Sequence, residues 1–304
     1  MCTRFQTIIK IRRSWHDFIV ITRADAMPFP ADDAGQLSLP CHHRTIGIIL
    51  PSVARIIVFA NQKGGVGKTT TAVNLGAYLA EAGKRVLLVD FDPQANASSS
   101  VGAAKDRPGI YEAMTGSADP SSVVQDCPAS PNLSIIASSI NLTGATVELV
   151  DQADREFFLK RVLERVSGPF DFVFIDCPPS LGILTVNGLA AADSVIIPLQ
   201  CEYLALEGLT LLLQTINRVQ KSVNPRLQVG GILFTMYDSR TRLAQEVVQE
   251  VMGYFREKVF RTIIPRNVRL GEAPSFAQPI NRYDPECIGA KSYQKLAEEV
   301  LANG

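Results

Sequence analysis

Six short apolar runs punctuate the chain after residue 52, at residues 56–60, 86–89, 133–137, 170–175, 194–199 and 228–235. Runs of this length, rich in Val, Ile, Leu and Phe with little polar alternation, predict strands buried on both faces of a parallel sheet. Between them apolar residues recur at helical spacing. Ala72, Leu75, Leu79 and Ala82 mark a helix of about three turns that Gly83 ends. Phe158, Val162 and Val166 predict a helix over residues 148–166, stopped by Gly168-Pro169. Leu206, Leu209, Leu213 and Ile216 predict another, running to Val219, and Tyr293, Leu296 and Val300 a last one over residues 289–301. Residues 97–132 carry Ser, Gly, Ala, Asp and Pro with little period, so they read as surface loop with one short helix at 110–114. This alternation predicts an α/β fold over residues 53–304. A single domain is expected, with a mostly parallel central sheet flanked by helices on both faces.

Composition narrows the class. The chain has 304 residues, 46% of them hydrophobic, and no eighteen-residue uncharged apolar stretch to span a membrane. Its six cysteines form no close CxxC pair and read as reduced thiols of a cytoplasmic protein. Formal net charge is zero, so nucleic-acid binding would require a local basic face. Residues 1–52 hold all three histidines, His16, His42 and His43, with scattered prolines and no sustained pattern. They lack a charged start, clean apolar run and small-residue cleavage site, which argues against a signal peptide. Adjacent His42-His43 are no metal site, because a third ligand would have to come from a weakly patterned segment. The stretch is expected to be an irregular extension.

The chemistry begins between the first strand and the first helix, at Gln62-Lys63-Gly64-Gly65-Val66-Gly67-Lys68-Thr69-Thr70. A glycine-rich turn there lets successive backbone N–H groups and the helix N-terminus face phosphate oxygens. Lys68 can reach the β- and γ-phosphates of a nucleotide, and the Thr69 hydroxyl can ligate Mg²⁺. The usual opening glycine is replaced by Gln62, and a second lysine, Lys63, follows it. The second strand ends in Asp90-Phe91-Asp92, two carboxylates either of which can serve a magnesium site at the carboxyl ends of the strands. The 170–175 run ends in Asp176-Cys177-Pro178-Pro179-Ser180, the Walker B arrangement, in which Asp176 holds Mg²⁺ directly or through water. Cys177 has no second cysteine suitably placed and reads as a buried spectator.

This loop resembles the deviant P-loop of the ParA/MinD family of ATPases, and from about Val53 onward the chain is similar to the short, Soj type of chromosome-partitioning ParA. The resemblance implies a P-loop NTPase fold. It implies an ATP hydrolase, slow and partner-stimulated, that uses ATP and Mg²⁺. Lys63 matches the lysine that reaches across a homodimer to the phosphates bound by the partner. Asp92 matches the residue that orients the attacking water, with Asp90 supporting the loop and the metal's water shell. Pro265 and Asn267 fall in the segment that lies beside the adenine. The DCPPSLG string matches the γ-phosphate switch, and Gln200-Cys201-Glu202-Tyr203 a segment near the dimer interface. Relatives begin near the position of Val53, so a misassigned start is the simplest account of residues 1–52.

Charge is uneven within the neutral total. Between Arg218 and Arg269 there are ten basic and four acidic residues, against 24 and 26 over residues 53–304. By resemblance, Arg240 and Arg269, then Arg242 and Arg266, would contact the phosphates of non-specific double-stranded DNA. The implied partners are a second copy of the chain, that DNA and a ParB-type centromere-binding protein, with the ATP-bound form on the nucleoid. A MinD-like ATPase carries a basic amphipathic helix beyond the position of Gly304 that this sequence does not show, so no membrane partner is expected. A nitrogenase-like reductase is disfavoured by cysteine placement, and an inactive scaffold by the presence of Lys68, Asp92 and Asp176. A relative positioning some other cargo shares the same motifs.

Overall fold

The computed structural model describes residues 53–302, apart from residues 129, 150, 203 and 204. The histidines and the expected N-terminal extension lie outside the described residues. The first half runs β1 (Arg55–Phe59), α1 (Lys68–Glu81), β2 (Val86–Asp90), α2 (Asn96–Ser100), α3 (Ile110–Thr115), β3 (Val124–Asp126), β4 (Leu133–Ile136) and α4 (Leu142–Glu148). The middle runs α5 (Phe158–Val166), β5 (Phe172–Asp176), α6 (Ile183–Ala191), β6 (Ser194–Gln200) and α7 (Ala205–Ser222). The chain then continues through β7 (Gln228–Thr235), α8 (Arg242–Phe255), α9 (Val268–Glu272), α10 (Ile280–Tyr283) and α11 (Ile288–Ala302).

Seven strands form one sheet in the order β3-β4-β2-β5-β1-β6-β7, parallel throughout except for the β3–β4 edge. Side chains alternate across a strand, so each strand feeds two cores. Ile57 and Phe59 of β1, Leu88 of β2 and Phe174 of β5 pack with Leu75, Leu79, Ile280, Tyr293 and Leu296, from α1, α10 and α11. Val58, Leu87, Val173 and Ile175 face the other way, onto Leu159, Leu184, Leu212 and Val251, from α5 to α8. The expected mostly parallel sheet with helices on both faces is what the chain forms.

Local departures from the expected elements have physical reasons. The expected helix over 148–166 forms only from Phe158, as α5, and a separate helix, α4, ends at Glu148. Between them Asp154 takes a left-handed φ of 58°, which an α-helix cannot hold. Asn187 of α6 fixes the second start, its Nδ2 donating to Arg155 O (2.8 Å) and its Oδ1 accepting from Leu159 N (3.2 Å). Helix α6 was not expected at all: Ile183-Leu184-Thr185-Val186-Asn187-Gly188-Leu189 shows no amphipathic period because most of it is buried. Helix α8 lies in the segment whose charge stands out in the sequence, and Ala244, Val247 and Val251 form its buried stripe. The 97–132 segment is also more ordered than a surface loop, holding α2 and the antiparallel edge strand β3.

Candidate nucleotide and magnesium site

The site is built where β1, β5 and β2 end together. In register, Phe59 lies beside Asp176 and Asp176 beside Asp90, so the loop after β1 and the carboxylates of β5 and β2 share one edge of the sheet. The loop turns sharply because Gly65 (φ 72°) and Gly67 (φ 85°) adopt left-handed conformations, and α1 begins at once with Lys68.

Neighbouring strands hold the loop at both ends. At its head Asn61 Nδ2 donates to Pro198 O of β6 (2.8 Å), and Asn61 Oδ1 accepts from Lys63 N (3.0 Å). At its far end Thr235, the last residue of β7, donates its hydroxyl to Val66 O (2.8 Å). Helix α1 is anchored in turn: Thr71 Oγ1 donates to Gly67 O (2.7 Å) and lies 3.1 Å from the buried Tyr293 hydroxyl of α11, while Asn74 Nδ2 donates to Thr70 O (2.8 Å).

Lys68 is buried, and its ammonium donates to Lys63 O (3.1 Å). Burial lowers its pKa from the ordinary lysine value, opposed chiefly by the charge of Asp176. Thr69 Oγ1 donates to Asp176 Oδ2 (2.6 Å). Asp176 is buried, and its other oxygen, Oδ1, has no hydrogen-bond partner. Burial and then the neighbouring Asp90 push its pKa well above the carboxylate range. A buried carboxylate with one oxygen unsatisfied, next to a hydroxyl, fits a divalent cation. Thr69 and Asp176 supply only two oxygens, so a hard cation here takes its remaining ligands from phosphate and water, as Mg²⁺ does.

Asp92 is buried, with Oδ1 accepting from Gln94 N (3.0 Å). Asp90 is turned inward instead. Its Oδ2 accepts from both the backbone N–H and the hydroxyl of Ser98 (2.7 Å each), and its Oδ1 from Asp92 N (3.3 Å). Burial raises its pKa to about 6 despite these bonds. Its contacts are those of a loop brace. Cys177 is buried and its thiol pKa is pushed up by burial, which suits a spectator.

Pro265 and Asn267 lie at a bridge to the residues just beyond β7. Two residues beyond Thr235, Tyr237 bridges to Pro265, its N–H donating to Ile264 O (3.1 Å) and its carbonyl accepting from Arg266 N (3.1 Å). Asn267 Oδ1 caps α9 by accepting from Leu270 N (3.3 Å). The same bridge holds Arg266 close enough to Asp238 for its charge to favour that carboxylate. Three of the four arginines expected to meet DNA already hold carboxylates of this chain. Arg240 makes a two-pronged pair with Asp238 (2.9 and 2.7 Å), holding that carboxyl down to about 2. Arg242 pairs with Glu246 (2.8 Å), and Arg269 with Glu272 (2.8 Å) and Asp284 (3.3 Å). Arg266 is exposed.

Several groups at the site were not singled out from sequence: Asn61, Thr235, Ser98 and, above all, Glu202, which forms an ion pair with Lys63. The resemblance implies only a location near an interface for Glu202, and a lone Glu after a strand carries no further signal.

The family described as "AAA domain" matches residues 54–229. Chromosome-partitioning ATPase Soj of Treponema pallidum is 62% identical over 250 residues, spanning 82% of this chain and 98% of that protein. Sporulation initiation inhibitor protein Soj of Bacillus subtilis is 54% identical over 254 residues, spanning 83% of this chain and 100% of that protein. Among solved structures, cobyrinic acid a,c-diamide synthase of Mycobacterium smegmatis, with a bound ATP analogue and magnesium, superposes with a TM-score of 0.74. It is 41% identical and covers 83% of this chain and 95% of that one.

Proposed function

The chain belongs to the Soj/ParA family of chromosome-partitioning ATPases, and on that premise we propose that it is an ATP-dependent DNA-binding switch. It hydrolyses ATP with Mg²⁺, forms a homodimer with nucleotide at the interface, and releases DNA on hydrolysis. The observation that carries this reading is the meeting of Lys68, Thr69 and Asp176, with Asp176 Oδ1 left unsatisfied. The solved synthase has a different activity in its name, but the relatives at 62% and 54% identity are both Soj proteins, and the partitioning reading follows them.

Phosphoryl transfer needs placement and charge compensation more than covalent help. The backbone N–H groups of residues 64–70 face the phosphates, Lys68 neutralises their oxygens within the chain, and Lys63 does so from the partner subunit. Thr69 and Asp176 hold Mg²⁺, which when bound offsets charge on the phosphate oxygens. Asp92 orients the attacking water. Pro265 and Asn267 border the base. Arg240, Arg242, Arg266 and Arg269 contact backbone phosphates of double-stranded DNA, and dimerisation doubles that surface, which makes retention depend on ATP. A ParB-type protein accelerates turnover, and the ATP form sits on the nucleoid. Co-sedimentation with DNA in ATP, ADP or no nucleotide tests the switch: retention is expected with ATP alone, and equal retention in all three refutes it.

A further inference from the structure

Lys63 is engaged at both ends within its own chain. Its carbonyl accepts from Lys68 Nζ (3.1 Å), and its ammonium forms an ion pair and hydrogen bond with Glu202 Oε2. The other Glu202 oxygen accepts from Gln200 Nε2, at the end of β6, so the carboxylate is itself oriented. Asn61 ties the head of the loop to the same strand through Pro198 O. The Lys63 and Glu202 side chains are 38% and 45% exposed, which leaves the pair open to exchange. Lys63 also lines a cavity of about 520 Å³ with Pro179, Ser180, Glu207 and Gly208, beside the loop that follows Asp176.

We propose that Glu202 is a latch on Lys63. It holds the ammonium within its own subunit, and ATP-dependent dimerisation requires each subunit to exchange this carboxylate for a phosphate held by the other. The proposal rests on the dimer reading above, in which Lys63 acts in the partner's site. A half-exposed carboxylate is a weak holder, so a triphosphate with its larger charge displaces it. Without nucleotide the latch keeps Lys63 from engaging another chain. Glu202 is thus a positioning residue that sets the threshold for dimerisation and does not touch substrate in this arrangement.

The test is sedimentation of the full-length chain with magnesium and a slowly hydrolysed ATP analogue, with ADP as control. Two latches open per dimer, each worth about threefold, so Glu202→Gln and Glu202→Ala should each raise the dimerisation constant about tenfold. Both should stay monomeric in ADP and melt with the parent. Glu207→Gln removes a carboxylate that lines the same cavity but makes no ion pair with Lys63, and should change nothing. In a Lys63→Gln background, Glu202→Gln should add nothing. An equal gain from Glu207→Gln would make the effect one of general charge and overturn the latch. So would unchanged or weaker dimerisation of both Glu202 variants. A parent chain that stays monomeric with the analogue overturns the dimer reading itself, and the latch with it.

Discussion

Gly188 gives the sharpest test of how the site is supported from behind. It lies in α6, where a Cβ would come 2.7 Å from Cys177 Sγ, 3.2 Å from Val58 Cγ2 and 3.6 Å from Ile175 Cγ2. Ordinary contacts sit near 3.5–4.0 Å, so in Gly188→Ala the sulfur of the buried Cys177 must move by about 1 Å. Overpacking of this kind costs about 1–3 kcal/mol, and a contact this short belongs at the upper end. Alanine gains about 1 kcal/mol of helix propensity over glycine, which offsets part of that. The net loss is about 1–2 kcal/mol, or a fall in Tm of about 2–8 °C for a domain of this size. In a Cys177→Ala background the sulfur is gone and only the 3.2 Å approach to Val58 remains. Gly188→Ala should there become neutral or stabilising, a change of sign. Urea denaturation of the four proteins measures the coupling, expected at about 2 kcal/mol. Additivity within about 0.5 kcal/mol would show that the Cβ does not meet the sulfur, and would refute the reasoning. Because Cys177 follows Asp176, the single variant should also bind a magnesium–ATP analogue more weakly than the double one.

Thr235→Val keeps a methyl against Gly67 but leaves the carbonyl of Val66 without the Thr235 hydroxyl; it should cost about 1–3 kcal/mol in denaturation and loosen ATP-analogue binding in a calorimetric titration. Chelating magnesium should abolish most of the rise in Tm that ATP produces, about 2.7 kcal/mol of stabilisation at a hundredfold excess over Kd, and a full rise in EDTA would remove Asp176 and Thr69 from metal binding. Arg240→Ala should lose DNA retention at unchanged Tm, since its surface pair with Asp238 contributes little to stability. Arg269→Glu should lose DNA retention with ATP-dependent dimerisation intact but with a lowered Tm, because the new carboxylate faces Glu272 and Asp284; Arg269→Gln should lose retention with a smaller fall in Tm.

How far the sequence was readable depended on whether a signal was local. The strand–loop–helix at Gln62 to Thr70 and the strand-end carboxylate Asp176 are local and appear where expected. So do the six apolar runs, within a residue or two at their ends. The hidden features are those set by distant partners. Nothing near Asp154 announces that the chain breaks there, because the cap on α5 comes from Asn187, on the next helix. Helix α6 is buried too widely to show a period, and Asp90 reads as a metal-site carboxylate until Ser98, eight residues on, takes one of its oxygens. Glu202 was legible only as a location, since its role needs a lysine 139 residues away.

Those distant partners share a consequence. Each charged or hydroxyl group that would meet a phosphate or a metal already has an internal partner: Lys68 the carbonyl of Lys63, Thr69 the carboxylate of Asp176, Lys63 the carboxylate of Glu202. The three bonds lie on one continuous path from β5 through the loop to β6. Substrate binding is therefore an exchange of hydrogen bonds, and its net free energy is smaller than the new contacts alone suggest. The exception is Asp176 Oδ1, buried and unpartnered. Filling that position replaces no hydrogen bond, so a cation there adds a contact to the oxygen while the other groups trade partners. On that difference, nucleotide binding is expected to depend on the metal more than on any single lysine.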